Sequence, residues 1–142
     1  MANTFVEQLR RNAVALISLV VAICSLSYNT WRNEATEHNR NQRVAAFEIL
    51  LKLGELQQVV FHVHYDRDFD KGNPRIGWAY VLTINDLAKV LPDTVQDSAT
   101  ALLQAWGNGW ENLADSPVSL DIILQALDAT RDQTLVLLQS LE

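Results

Sequence analysis

The chain has 142 residues, 49% of them hydrophobic, and a formal net charge of −6. That apolar content excludes a disordered polymer. The acidic balance argues against nucleic acid as a partner, since the 9 Lys/Arg of residues 29–142 face 16 Asp/Glu there and would repel a phosphate backbone.

Residues 1–11 form a short polar tail ending in Arg10-Arg11. The next twenty residues, Asn12 to Trp31, carry no charge, and fourteen of them are apolar or aromatic. As a helix they extend roughly 30 Å at about 1.5 Å per residue, the thickness of a bilayer's hydrocarbon core. Residues 12–31 are therefore expected to be one transmembrane helix. A basic n-region before an apolar stretch also fits a secretory signal, and Ser25-x-Ser27 is a weak peptidase site. The helical pattern runs on through Trp31 without Gly or Pro, so an uncleaved anchor is the expectation. Arg10 and Arg11 touch the span, while Arg32, Arg40 and Arg43 follow it. The counts are nearly balanced, but the paired arginines directly at the span and the short basic tail, which is hard to translocate, favour a cytoplasmic N-terminus and an extracytoplasmic domain, periplasmic in a bacterium, on the inner (plasma) membrane. Tyr28 and Trp31 suit the interfacial position at the exit. Cys24, the one cysteine, lies inside the span and can form no intrachain disulfide.

Ala15, Ser18, Ala22, Ser25 and Asn29 are spaced 3, 4, 3 and 4 and fall along one helical face. Small and hydroxyl residues in such a stripe let another helix approach closely, so helix pairing with a second copy or a larger membrane protein is expected there.

Residues 32–43 are polar and helical in pattern, a solvated stalk. From residue 44 the composition becomes that of a domain, 44–142. Ile49, Leu53, Leu56, Val60 and Val63 keep a 4/3 spacing and mark a helix entering a core. Leu50 and Val59 widen that face. Glu48, Lys52, Glu55 and Gln58 take the other side. Gly54 is read as a point of close packing inside this helix, which ends near Tyr65.

The stretch Asp66–Pro74 holds three acids, Gly72 and Pro74 and reads as a loop. Asn73 caps and Pro74 starts a second helix, running to about Val90. Its expected inner face is Ile76, Tyr80, Ile84, Leu87 and Leu91. Thr94-x-x-Asp97 reads as an acidic capping box opening a third helix, with Val95, Ala99, Leu102, Trp106, Trp110 and Leu113 inward. Asp115-Ser-Pro117 again sets a cap before Pro. A fourth helix follows, with Leu120, Ile123, Leu124, Leu127, Leu135, Leu138 and Leu141 inward. The whole is an all-α expectation: an N-terminal transmembrane helix continuing into an antiparallel four-helix bundle.

Chemistry-bearing residues are few. His62, Asp66, Asp68 and Asp70 are the dense group of potential metal ligands. His62 and Asp66 sit one helical turn apart, while His64 points elsewhere. Asp66-x-Asp68-x-Asp70 resembles the start of a calcium loop, but Gly72 stands at position seven and Gly77 at position twelve, where an EF-hand needs Gly at six and Glu at twelve. A polar turn with acids bonded to backbone amides is the stronger expectation. Trp78, Trp106 and Trp110 are candidates for a partner interface, although core filling is the commoner fate of Trp106 and Trp110. No nucleophile elbow, phosphate loop or dinucleotide fingerprint occurs, so neither catalysis nor a cofactor is expected. The functional expectation is a membrane-anchored accessory or interaction protein. A ligand-sensing bundle with a pocket of Tyr80, Trp106 and Trp110 is the alternative, and a metal-binding loop at His62–Asp70 the next.

Overall fold

The computed structural model describes Glu7 and residues 11–141. The expected tail, residues 1–11, therefore lies outside the described residues except for Glu7 and Arg11. Four α-helices and two short helical turns make up the described fold, with no strand among the described residues. The chain divides into two compact units, Met1–Asn39 and Arg40–Glu142. The division falls inside the expected stalk.

The first helix, α1, runs unbroken over Ala13–Phe61. Its continuity follows from composition, because Gly54 is its only Gly and it has no Pro. A π turn, His62–Asp66, ends it. There Arg67 takes a left-handed conformation, φ 54°, and its backbone N–H donates to His62 O. Asp68 N–H donates to the same carbonyl at 2.9 Å, so the stop resembles the left-handed caps that usually call for glycine. The loop then folds back on the helix end. A Cβ on Gly72 would lie 2.6 Å from Val63 Cγ2, so only glycine fits.

Helix α2 spans Pro74–Ala88. As expected, Pro74 opens it, and Asn73 Oδ1 accepts from Arg75 N–H at 2.9 Å. Helix α3 spans Asp93–Gly109, with Pro92 at its cap position and no side-chain cap bond. The expected capping box at Thr94 is therefore corrected: Thr94 already lies inside the helix. A 3₁₀ turn, Trp110–Asn112, follows α3. Helix α4 spans Pro117–Ser140, capped by Ser116, whose side chain accepts from Ser119 N–H at 3.1 Å.

In the unit Arg40–Glu142, the C-terminal part of α1 shares one core with α2, α3 and α4. Ile49, Leu53, Leu56 and Val60 are fully buried, and Val63 nearly so, as their spacing foretold. Each such side chain contributes roughly 1.5–3 kcal/mol by leaving water. Polar ties run between the same elements. Arg131 Nη2 donates to Gln57 Oε1 at 2.7 Å, and Arg43 donates to the backbone oxygen of Leu141.

Two expected faces are shifted. In α2 the buried line is Gly77, Val81, Ile84 and Ala88, whereas Ile76 is exposed. The cause is Trp106, whose ring lies on Gly77 and turns that residue inward. In α4 the inward line is Leu120, Ile123, Leu127, Thr130, Thr134 and Leu137, and Leu135 is exposed. The two threonines are tolerated because their hydroxyls stay bonded. Thr130 Oγ1 lies 2.9 Å from Ala126 O and 3.1 Å from Ser98 O, and Thr134 Oγ1 donates to Thr130 O at 2.7 Å. Gly54 is also corrected. A Cβ there would meet nothing within 4 Å, so packing within the chain does not account for it.

Candidate functional site

Along the N-terminal part of α1 the apolar side chains face outward on every side. Val14, Ile17, Leu19, Val20, Val21, Ile23 and Leu26 are each more than half exposed. This helix is long and apolar enough to cross a membrane. Water is a costly environment for such a surface, at about 25 cal/mol per Å² of apolar area. The stripe Ala15, Ser18, Ala22, Ser25 and Asn29 is exposed as well, and so is Cys24. Ser18 Oγ donates to Val14 O at 2.8 Å, so its proton is held by its own helix. The Tyr28 and Trp31 rings lie 6.2 Å apart.

The His62–Asp70 segment resolves into separate small arrangements. His62 Nδ1 donates to Asp66 Oδ2 at 2.7 Å, made possible by their one-turn spacing. His64 turns the other way, its Nδ1 donating to Leu113 O at 2.7 Å. Asp68 Oδ1 accepts from the backbone N–H of Asp70 and of Lys71, at 3.2 and 3.0 Å. The Lys71 N–H is the main reason the Asp68 carboxyl lies below its ordinary pKa, with Lys71 Nζ, 3.5 Å from Oδ2, adding to it. Asp68 thus closes the turn through its own backbone, the role expected for acids in a polar loop. Among the described residues no three His, Cys, Asp or Glu side chains gather in a way that could hold a metal ion. Gln58, Phe61, His62, Tyr65 and Asp66 line a shallow cleft at this end of α1.

The tryptophans do not form one surface. Trp106 is 1% exposed and fills the core, the commoner of the two fates expected for it, so it presents no surface to a partner. Its Nε1 is buried without a protein acceptor, a cost of about 1–3 kcal/mol. The ring offsets it, since burying about 150–250 Å² is worth roughly 4–6 kcal/mol. Trp78 and Trp110 are half-buried against the same core. Tyr80 lies under Lys52 Nζ at 5.3 Å, and the hydrogen bond from Lys52 to Glu55 raises the lysine's pKa. The rings that a sensing pocket would need are thus packed against neighbours.

One surface was not foreseen from the sequence. On α1, within the unit Arg40–Glu142, Val44 (62%), Phe47 (58%) and Leu51 (63%) are exposed, and Phe61 and Tyr65 continue them. The strong inward pattern of Ile49, Leu53 and Leu56 masks this second pattern on the opposite face. Its signal was present in the 3/4 spacing of residues 44, 47 and 51.

No protein-family model, no curated protein and no solved structure matches this chain.

Proposed function

We propose that the chain is a single-pass membrane protein whose helical domain, an antiparallel four-helix bundle, serves as an accessory or interaction module of a membrane complex and performs no catalysis of its own. The observation that carries this reading is the exposure of the apolar residues between Val14 and Leu26 on all sides of α1. A helix apolar all round is stable when lipid or another apolar surface surrounds it. The small-residue stripe Ala15, Ser18, Ala22, Ser25 and Asn29 is the part of the span suited to a neighbouring helix. The bundle lies on the extracytoplasmic side, Arg10 and Arg11 holding the tail in the cytoplasm. The two histidines of the bundle make local contacts through Nδ1, His62 with Asp66 and His64 with Leu113 O.

The test is native electrophoresis of membranes solubilised in mild detergent. The full chain should migrate in an assembly of defined size larger than one copy, and Ala22→Leu with Ser25→Leu should release it. Migration as a single copy, unchanged by the double substitution, refutes the interaction role.

A further inference from the structure

On the outward side of α1, residues Val44, Phe47, Leu51, Gly54, Gln58, Phe61 and Tyr65 follow one another at intervals of 3, 4, 3, 4, 3 and 4. That is the a/d spacing of a coiled-coil seam, in α-helical phase from Val44 to Phe61, with Tyr65 in the π turn that follows. The side chains that α1 gives to its own core, Ile49, Leu53, Leu56 and Val60, occupy the opposite face. Val44, Phe47, Leu51, Gln58, Phe61 and Tyr65 are all exposed. The Phe61 and Tyr65 rings meet edge to face at 5.6 Å, so Tyr65, in the π turn, stays against the last residue of the helix. Charged residues stay off it, as the interior of a helix pair requires.

Gly54 gives an independent pointer. It weakens the middle of a long helix, and a Cβ there would touch nothing in the chain. A glycine at a seam position has a reason to exist if another backbone comes close at that point. Gln58, four residues on, is the single polar seam residue, the kind that fixes register between paired helices.

We propose that this seam docks a second copy of the chain, α1 against α1, parallel and in register. The parallel direction rests on the anchored reading above, because two copies held by the same N-terminal span point the same way. One complementary charge pair favours a copy of the chain itself. Arg43 donates to Leu141 O and Glu48 lies 3.9 Å from Lys52 Nζ within the chain, and each keeps further donors or acceptor sites for a partner. With Val44 at position a, Arg43 falls at a flanking g position and Glu48 at the e position that faces it across a parallel pair. Arg43 forms the rim of a pocket of about 230 Å³ with Phe47, Leu135, Leu138 and Gln139. A second copy's Glu48 would enter there, its stem against Leu135 and its carboxylate on the guanidinium. The two-fold axis makes the same contact twice.

The test is disulfide trapping of the full chain in cell extracts separated into membrane and soluble fractions. All variants carry Cys24→Ser, and each has one new cysteine, Leu51→Cys, Gln58→Cys or the exposed control Ala101→Cys. The seam requires that positions 51 and 58 each cross-link to themselves, giving a product of twice the chain's mass, while position 101 does not. Adding Phe47→Asp and Val44→Asp to the Gln58→Cys variant should lower its cross-linking by about tenfold or more through buried unpaired charge. Helix content should be unchanged, as both residues are more than half exposed. Positions 51 and 58 no more reactive than 101, or products of another mass, overturn the proposal. So does an antiparallel result, in which neither position links to itself but Leu51→Cys and Gln58→Cys chains produced together in one cell link to each other. The fraction in which the chain is found reports on the anchor alone, so the two readings fail separately.

Discussion

Gly77→Ala should be among the most damaging small substitutions in the domain. A Cβ at residue 77 would sit 2.2 Å from Trp106 Cζ2 and 2.4 Å from Cη2. Ordinary contact begins near 3.4 Å, so the ring or the helix must retreat by more than 1 Å. Trp106 is 1% exposed and has no open space to move into, and interiors packed at crystal-like density yield little. Overpacking of this kind costs about 1–3 kcal/mol and sometimes more, and alanine's helix preference returns about 1 kcal/mol. A clash this short belongs at or above the top of that range, giving a net loss of about 2 kcal/mol or more. For a folded unit of this size that lowers Tm by about 8–16 °C. The assay is thermal melting of the full chain in detergent, followed by helix dichroism and tryptophan fluorescence. Gly107→Ala is the control, since its Cβ would meet Trp78 at an ordinary 3.5 Å, and it should gain up to about 1 kcal/mol. Trp106→Leu combined with Gly77→Ala should be less damaging than the sum of the two alone. A Gly77→Ala protein that melts with the wild type would refute the Trp106–Gly77 contact and the placement of α2 against α3.

Ser116→Ala removes the only side-chain cap of α4 and should cost about 1 kcal/mol, read as a fall in Tm. Thr130→Val should cost about 0.5–1.5 kcal/mol, because its hydroxyl also reaches Ser98 O in α3. Thr134→Val should stay within about 0.5 kcal/mol, because its hydroxyl bonds only to its own helix. Denaturant melts of the two threonine variants make that comparison. The Asp68 carboxyl is lowered on folding, so its contribution to stability is present above the usual carboxylate value of about 4. It is lost as pH falls through the lower folded value. Asp68→Asn should therefore flatten the acid limb of the Tm–pH profile, and an unchanged limb would exclude the turn as a source of acid sensitivity.

The parts of the fold legible in sequence are those where one physical signal acts alone. Pro74 and Pro117 at the first helical position, with Asn73 and Ser116 before them, announced two helix starts correctly. The run Ile49, Leu53, Leu56, Val60 and Val63 announced the core face of α1. Where two effects compete, reading by hydropathy picked the wrong side chains. Thr130 and Thr134 are polar in composition but behave as small core residues once their hydroxyls bond to backbone carbonyls. Gly77 carries no hydropathy signal, yet it sets the rotation of α2, because that rotation depends on a tryptophan twenty-nine residues away. The His62–Asp70 group was visible as a cluster in sequence. Its division into an imidazole–carboxylate pair and a backbone-bonded turn depends on the π turn, which no local pattern specified. The outward seam of α1 was written in the same heptad arithmetic as the core face and was overshadowed by it.

Anchoring in the lipid is tested most directly by alkaline carbonate extraction of cell membranes carrying the full chain with a tag after Glu142, followed by intact-mass measurement of what remains in the pellet. The tagged chain should stay in the pellet at the mass that includes residues 12–31. Release into the supernatant, or a product shortened to begin after Ser27, would contradict a retained membrane helix.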